Sequence, residues 1–237
     1  MKVIPAIDVS RGRLVRLVKG EMGSERVYGD PEAWLERLLD AGAGLIHIVD
    51  LDAAQGVGDN RGLVKRLAAR ASEAGAAVEV GGGLRTPGEA LEAATWGDVR
   101  VILGTLVYID PPAARCVLAK LGAERVMAAL DIRGGRVALG GWRRTGPPLG
   151  EAARLLGMLG FRYVLYTEVE RDGVMAGPSR PPRWLTGSFR VIAAGGVSGL
   201  ADLEELAGAG VYGAVVGRAL VEGRISLEDM AARGWEV

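Results

Sequence analysis

Two stretches of this chain repeat one another, and in each an apolar run ends on a carboxylate. Ala6-Ile7-Asp8-Val9-Ser10-Arg11-Gly12-Arg13-Leu14 recurs as Ala129-Leu130-Asp131-Ile132-Arg133-Gly134-Gly135-Arg136-Val137. A second echo follows. Gly82-Gly83-Leu84-Arg85 is answered by Gly195-Gly196-Val197-Ser198, and Val101-Ile102-Leu103-Gly104 by Ala214-Val215-Val216-Gly217. A repeat of half the chain is too long for a solenoid unit. It constrains the fold to two similar halves, about residues 1–122 and 123–237, with one aspartate from each directed at a shared site.

Short β-branched runs alternate with Ala- and Leu-rich stretches of helical period. Eight strands are predicted, at 3–7, 45–51, 77–80, 100–103, 126–130, 163–167, 190–194 and 212–216. Helices are predicted between them at 31–41, 62–74, 87–96, 111–121, 149–159, 200–209 and 226–232. Pro31, Pro87 and Pro111 follow Asp30, Thr86 and Asp110, the pattern of an N-cap with proline at the first helical position. The strands are apolar on both faces, as parallel strands covered by helices must be. Eight strand–helix units in 237 residues predict a single (β/α)8 TIM barrel built from two similar half-barrels. A doubly wound open sheet is the alternative, but it usually has fewer strands at this length and one glycine-rich loop, not two related ones. The segment Pro178-Ser179-Arg180-Pro181-Pro182-Arg183-Trp184 leaves room for about one helical turn, so the sixth helix is expected to be truncated.

Composition narrows the function classes. Hydrophobic residues make up 49%, enough for a sizeable core, and Lys plus Arg balance Asp plus Glu at 29 each. Zero net charge argues against a nucleic-acid partner held by a broad basic face. No apolar run approaches the length of a membrane span, and the first residues lack a signal-peptide layout, so a cytoplasmic protein is expected. Cys116 is the only cysteine and His47 the only histidine, so neither a disulfide nor a metal site is expected. Cys116 is placed in a helix and expected in the core. Gln55 and Asn60 are the only side-chain amides, a scarcity that suits a thermophile, while the arginine excess equally fits codon bias. No helix carries a large uniform apolar surface, which favours a monomer.

In a barrel, strand C-termini and the loops after them form the active face. Asp8 and Asp131 fall there, on opposite strands of the ring. Two carboxyls across a pocket can divide labour as base and acid when their surroundings separate their pKa values. Gly82 and Gly83 end the third strand, Gly195 and Gly196 the seventh, Gly104-Thr105 the fourth, and Gly217-Arg218 the eighth. Glycine lets backbone N–H groups approach phosphate oxygens, and a following helix N-terminus favours the anion. Two related loop pairs predict a ligand with a phosphate at each end.

These residues resemble a known family, the isomerases of histidine biosynthesis that act on phosphoribosylformimino-5-aminoimidazole-carboxamide ribotide. The resemblance is carried by Ile4-Pro5-Ala6-Ile7-Asp8, by His47-Ile48-Val49-Asp50-Leu51-Asp52-Ala53-Ala54, and by Gly82 to Arg85. Leu130-Asp131, Gly141-Trp142, Thr167 with Asp172-Gly173, Gly195 to Ser198, and Val216-Gly217-Arg218-Ala219-Leu220 complete it, so it spans essentially the whole chain. It implies an Amadori rearrangement of a bisphosphorylated ribotide, without metal or organic cofactor. Asp131 would be the general acid that helps open the ribose ring, and Asp8 the base that moves the proton from C2. Thr167 would orient Asp131 and the substrate. Arg16 is either part of a closing lid or a solvated arginine. Trp142 stacks on the imidazole ring or packs on its own hairpin. Asp172 and Arg85 are pocket candidates. His47 is a core or hydrogen-bonding histidine that a barrel strand can also aim into the pocket. Ser198 joins the glycines as a phosphate candidate.

The nearest rival is the related cyclase with the same half-barrel repeat, which the Ala-Ile-Asp opening and the His47 to Ala54 motif disfavour. Dual activity on phosphoribosylanthranilate is a further alternative, and a phosphate-binding barrel without catalysis is disfavoured by the retention of both aspartates. The truncated sixth unit and Gly199 after Ser198 depart from the family pattern, but neither departure touches the expected chemistry.

Overall fold

A computed structural model describes residues 1–17 and 23–237. Among these residues twelve strands form: β1 (Lys2–Ser10), β2 (Arg13–Arg16), β3 (Arg26–Gly29), β4 (Leu45–Asp50), β5 (Ala77–Gly81) and β6 (Val99–Leu103), then β7 (Val126–Arg133), β8 (Arg136–Leu139), β9 (Arg144–Pro148), β10 (Tyr163–Glu168), β11 (Arg190–Ala194) and β12 (Gly213–Val216). The parallel order β10-β11-β12-β1-β4-β5-β6-β7 closes on itself through the β10–β7 pairing. With helices between the strands, this is the predicted (β/α)8 barrel.

Strand periodicity decides what points inward. In β1, Ile4 and Ala6 belong to the inner cluster, whereas Val3, Ile7 and Val9 pack outward under the helices. The same alternation puts Met127 and Ala129 of β7, and Tyr163 and Leu165 of β10, inside. Side chains two residues further on share that face. Asp8, Asp131 and Thr167 are therefore delivered to the upper rim by the pleat itself. The inner cluster below them also holds Ile102, Ile192 and Val215, which makes the barrel a packed core with its site on top.

Several helix starts follow from their caps. Asp30 accepts from Ala33 N–H, Asp110 from Ala113 N–H, and Thr86 forms a reciprocal capping box with Glu89. The sixth helix is the single turn Arg183–Thr186, entered from Pro182, as the prolines require. Cys116 corrects the expectation of a core thiol, because it is exposed. Its helix, Pro111–Leu121, buries Ala114, Val117 and Leu118, a spacing that leaves residue 116 on the solvent face. Iodoacetamide is expected to alkylate Cys116 in the folded protein without loss of secondary structure; protection until denaturation would contradict this placement.

The repeated segments take the same local structure. In each, the barrel strand runs past its aspartate into an antiparallel ribbon, β1-β2-β3 in one case and β7-β8-β9 in the other. Both turn residues have positive φ, 49° and 70° at Arg11-Gly12 and 55° and 75° at Gly134-Gly135. Two-residue turns of that hand match the twist of the flanking strands.

Candidate active site

The pocket at the upper rim gathers nearly every residue singled out by the sequence. Asp8, Arg16, His47 and Arg85 line it from the first half of the chain, and Asp131, Trp142, Thr167, Asp172 and Arg218 from the second. Gly82, Gly83, Gly104, Thr105, Gly195, Gly196 and Gly217 complete the set. Ser198 is the exception. Its N–H and Oγ–H both donate to Asp202 Oδ2 at 2.7 Å, so it organises the start of the helix Leu200–Gly208 and does not line the pocket.

The two repeated aspartates sit in contrasting surroundings. Arg16 is buried and donates from Nη1 to Asp8 Oδ2 at 2.7 Å, and from Nη2 to the Ala6 carbonyl at 2.6 Å. Its Nε has no hydrogen-bond partner among the described residues, and it would lie 2.9 Å from a Cβ placed on Gly217. Arg16 thus spans the pocket floor from Asp8 to the loop after β12 and is not a solvated arginine. Asp131 has no such ion pair among the described residues. Burial pushes its carboxyl above the ordinary aspartate range, and hydrogen bonds from Trp142 and Thr167 pull back only in part. Thr167 is its direct neighbour, since β10 and β7 pair Thr167 with Asp131 in register.

A third carboxyl, Asp172, is pushed to about 7, first by burial and then by the charges of Asp8 and Asp131. The folded state therefore holds a proton on Asp172 that the unfolded chain releases near 3.8. Between those values the folded state binds more protons, so this group's contribution to stability declines as pH rises from about 4 to 7. Asp172→Asn is expected to match the wild type in stability near pH 4 and to exceed it by roughly 2–4 kcal/mol above neutral pH. Denaturant midpoints across that range check it, and a gap that shrinks with rising pH would refute it.

The glycine pairs meet a requirement of loop packing as well as the expected backbone approach to a ligand. A Cβ on Gly82 would stand 2.2 Å from the Asp50 carbonyl oxygen, and one on Gly196 2.0 Å from that of Gly177. Each pair presses the loop after one strand against the loop after its neighbour. Gly104 and Gly217 instead precede the short helices Thr105–Ile109 and Arg218–Val221. Thr105 Oγ1 accepts from Gly140 N–H at 2.8 Å, which ties that loop to the ribbon after β7. Arg218 donates to Glu222 at 2.8 Å and to the Gly173 carbonyl at 3.0 Å, and Arg85 to the Ala53 carbonyl at 2.7 Å.

Trp142 sits at φ 65° after Gly140 and Gly141, also at positive φ, a turn that places its side chain in the pocket beside Asp131. Sequence reasoning missed Gln55 and Tyr108, which also line the pocket. Gln55 donates to the Gly141 carbonyl at 3.1 Å and accepts from Arg143 Nε at 3.0 Å, so it holds the Trp142 turn from across the rim. Its rarity as one of two side-chain amides was the available signal. Tyr108 donates its hydroxyl to the Ala129 carbonyl at 2.7 Å; its own burial, and after that the carboxyl of Asp131, push its phenol pKa well up.

A family model described as "Histidine biosynthesis protein" matches residues 2–226. The chain belongs to that family. Among its members, a protein of Methanoregula boonei is 40% identical over 97% of this chain and 98% of its own length. One of Nocardioides sp. is 41% identical over 98% of this chain and 96% of its own, and one of Thermus thermophilus 37% over 98% and 100%. All three are named as 1-(5-phosphoribosyl)-5-((5-phosphoribosylamino)methylideneamino)imidazole-4-carboxamide isomerase. The resemblance drawn from motifs is thus a family relationship across the full barrel. Among the described residues of this family member, no group of three or more His, Cys, Asp or Glu side chains is arranged to hold a metal ion, and no helix is long and apolar enough to cross a membrane.

Proposed function

We propose that the chain is the histidine-biosynthesis isomerase its relatives are named for, turning the bisphosphorylated aminoaldose into its aminoketose isomer. The observation that carries this reading is the asymmetry of the repeated aspartates. Both face one pocket from opposite sides of the barrel, one bound to a buried arginine and the other held toward its protonated form by burial.

The steps balance without an outside oxidant. Asp131, protonated, gives its proton to the ribose ring oxygen as the bond from C1 to that oxygen breaks, and the amino nitrogen lone pair forms the imine. Asp8 takes the proton from C2. The electron pair of that C–H bond forms the C1–C2 double bond as the imine π pair returns to nitrogen, giving an enolamine, which becomes the ketone when C1 gains a proton and the C2 hydroxyl loses one. Thr167 holds Asp131 in place, and Trp142 covers the imidazole ring. The two glycine-bearing loop pairs, with Arg85 and Arg218 beside them, suit the terminal phosphates. Asp172 is a third proton-holding group on the same rim.

Incubating the purified protein with the ribotide and following the ketose product by absorbance and chromatography tests the reading, with phosphoribosylanthranilate as a parallel arm. Conversion of the ribotide is expected. No turnover of it, with phosphoribosylanthranilate converted, would overturn the assignment in favour of the other isomerase.

A further inference from the structure

Three polar side chains stand at one level inside the barrel. β4 and β5 pair His47 with Glu79 in register, and β5 and β6 pair Glu79 with Arg100. Glu79 is fully buried. Arg100 Nη1 donates to its Oε1 at 2.8 Å, and its Oε2 lies 3.2 Å from His47 Nδ1. Arg100 also donates from Nε to the Glu124 carbonyl at 2.8 Å and lies 3.9 Å above the Tyr163 ring. The arginine is therefore anchored at the lower end of the barrel. Of the three, only His47 lines the pocket.

Burying a carboxylate and a guanidinium is costly unless each finds its partner, and here both do. A guanidinium has donors only, so Glu79 is an acceptor toward Arg100. Its second oxygen is then an acceptor toward the imidazole, and Nδ1 is the ring atom that carries hydrogen. In the neutral imidazole that choice leaves Nε2 with a free lone pair. The ring edge away from Glu79 faces the pocket, so the fold presents an acceptor there.

We propose that Glu79 is a positioning residue: it locks His47 in the Nδ1–H form, so that Nε2 offers its lone pair to a hydroxyl or amide N–H of the substrate. This rests on reading the pocket as the isomerase site. Arg100 supplies the counter-charge that lets the carboxylate stand in the barrel interior. With the proton on Nε2 instead, the ring would present N–H to a substrate donor, and two donors would face each other. The Nδ1–H fraction then sets the fraction of enzyme competent to turn over.

Because His47 is the only histidine, nitrogen NMR of histidine-labelled full-length protein reads one imidazole. Above neutral pH the wild type is expected to show mainly the Nδ1–H tautomer, and a mainly Nε2–H wild type would overturn the proposal. The double variant Glu79→Met with Arg100→Met removes both charges together and leaves neither unpaired. Its Nδ1–H to Nε2–H ratio should fall about tenfold or more, because a charge-assisted hydrogen bond to Nδ1–H is lost outright. Its kcat should fall in proportion to the Nδ1–H fraction, with KM nearly unchanged. Glu79→Gln keeps an acceptor oxygen and should retain most of both. An unchanged ratio in the double variant, or a lowered Nδ1–H fraction with kcat intact, would refute the positioning role. A wild type that shows the tautomer but converts no ribotide sinks the isomerase reading alone.

Discussion

Asp8→Asn and Asp131→Asn are each expected to lower kcat on the ribotide by about a thousandfold or more, with ligand binding changed only modestly. Asparagine keeps the shape of aspartate but neither takes nor gives the proton the reaction must move, and positioned proton transfer contributes about 10²–10⁴-fold. Binding is expected to survive because the glycine-bearing loops proposed for the phosphates lie elsewhere on the rim and because Arg16 keeps its bond to the Ala6 carbonyl when Asp8 is neutral. A loss in kcat with KM preserved is the signature of an interaction used only in the transition state. Steady-state kinetics and phosphate-dependent ligand titration of the two variants check it. Asp8→Asn with full activity would remove the base assignment. Asp131→Asn with full activity would remove the acid assignment and turn attention to Asp172, whose carboxyl is pushed to about 7 in the same pocket. The two variants should also differ in stability. Asp131→Asn replaces a carboxyl whose charged form is disfavoured by burial, so the substitution is expected to be neutral or stabilising at neutral pH. Asp8→Asn leaves the buried Arg16 without its counter-charge and should destabilise.

Much of this site was legible because strand periodicity is a strong signal and the rim is its direct product. Asp8 and Asp131 follow inward-facing residues at a spacing of two, so a correct strand assignment already points both carboxyls into the barrel. The caps at Asp30, Thr86 and Asp110 and the proline-limited sixth helix are likewise local effects, fixed by residues adjacent in sequence. What escaped depends on contacts between distant segments. Strands β2, β3, β8 and β9 were not among those predicted, because strands as short as Arg13–Arg16 and Arg136–Leu139 carry too little alternation to stand out. Gln55 and Asn60 were noticed for their rarity but not for their places. Asn60 donates to Asp50 at 2.9 Å and Asp52 at 3.0 Å and accepts from Gly12 N–H at 2.8 Å, which joins the first ribbon to the loop after β4. Ser198 was grouped with the phosphate-facing glycines by adjacency, yet its bonds turn it toward Asp202. A repeat unit tells which residues correspond between halves, not which of them keep the same task.

Gly82→Ala and Gly196→Ala are expected to destabilise the fold by about 4 kcal/mol or more, against about 1 kcal/mol for Gly12→Ala. All three glycines have positive φ, at 94°, 85° and 70°. The backbone penalty for a side chain in that region is therefore shared. What differs is the space. A Cβ on Gly12 meets nothing within 4 Å, whereas on Gly82 or Gly196 it falls 2.2 Å or 2.0 Å from a carbonyl oxygen. Both oxygens are main-chain atoms, so no side-chain rotation relieves the clash and a neighbouring loop must move. At Gly82 the displaced residue is Asp50, which caps the helix Leu51–Gln55 and binds Asn60, so the shift propagates into the network that carries Gln55 and the Trp142 turn. At Gly196 it is Gly177, in the segment leading to the single-turn sixth helix, which is tied to the loop after β11 by Ser179 Oγ–H to the Ala194 carbonyl at 2.5 Å and Ser179 N–H to the Gly195 carbonyl at 3.1 Å. Urea unfolding of the three variants separates conformational strain from steric exclusion. Equal losses at all three positions would mean that the loops yield freely. A graded result means that the glycine pairs hold neighbouring strand-end loops in contact, and that the rim of the pocket keeps its shape because of them.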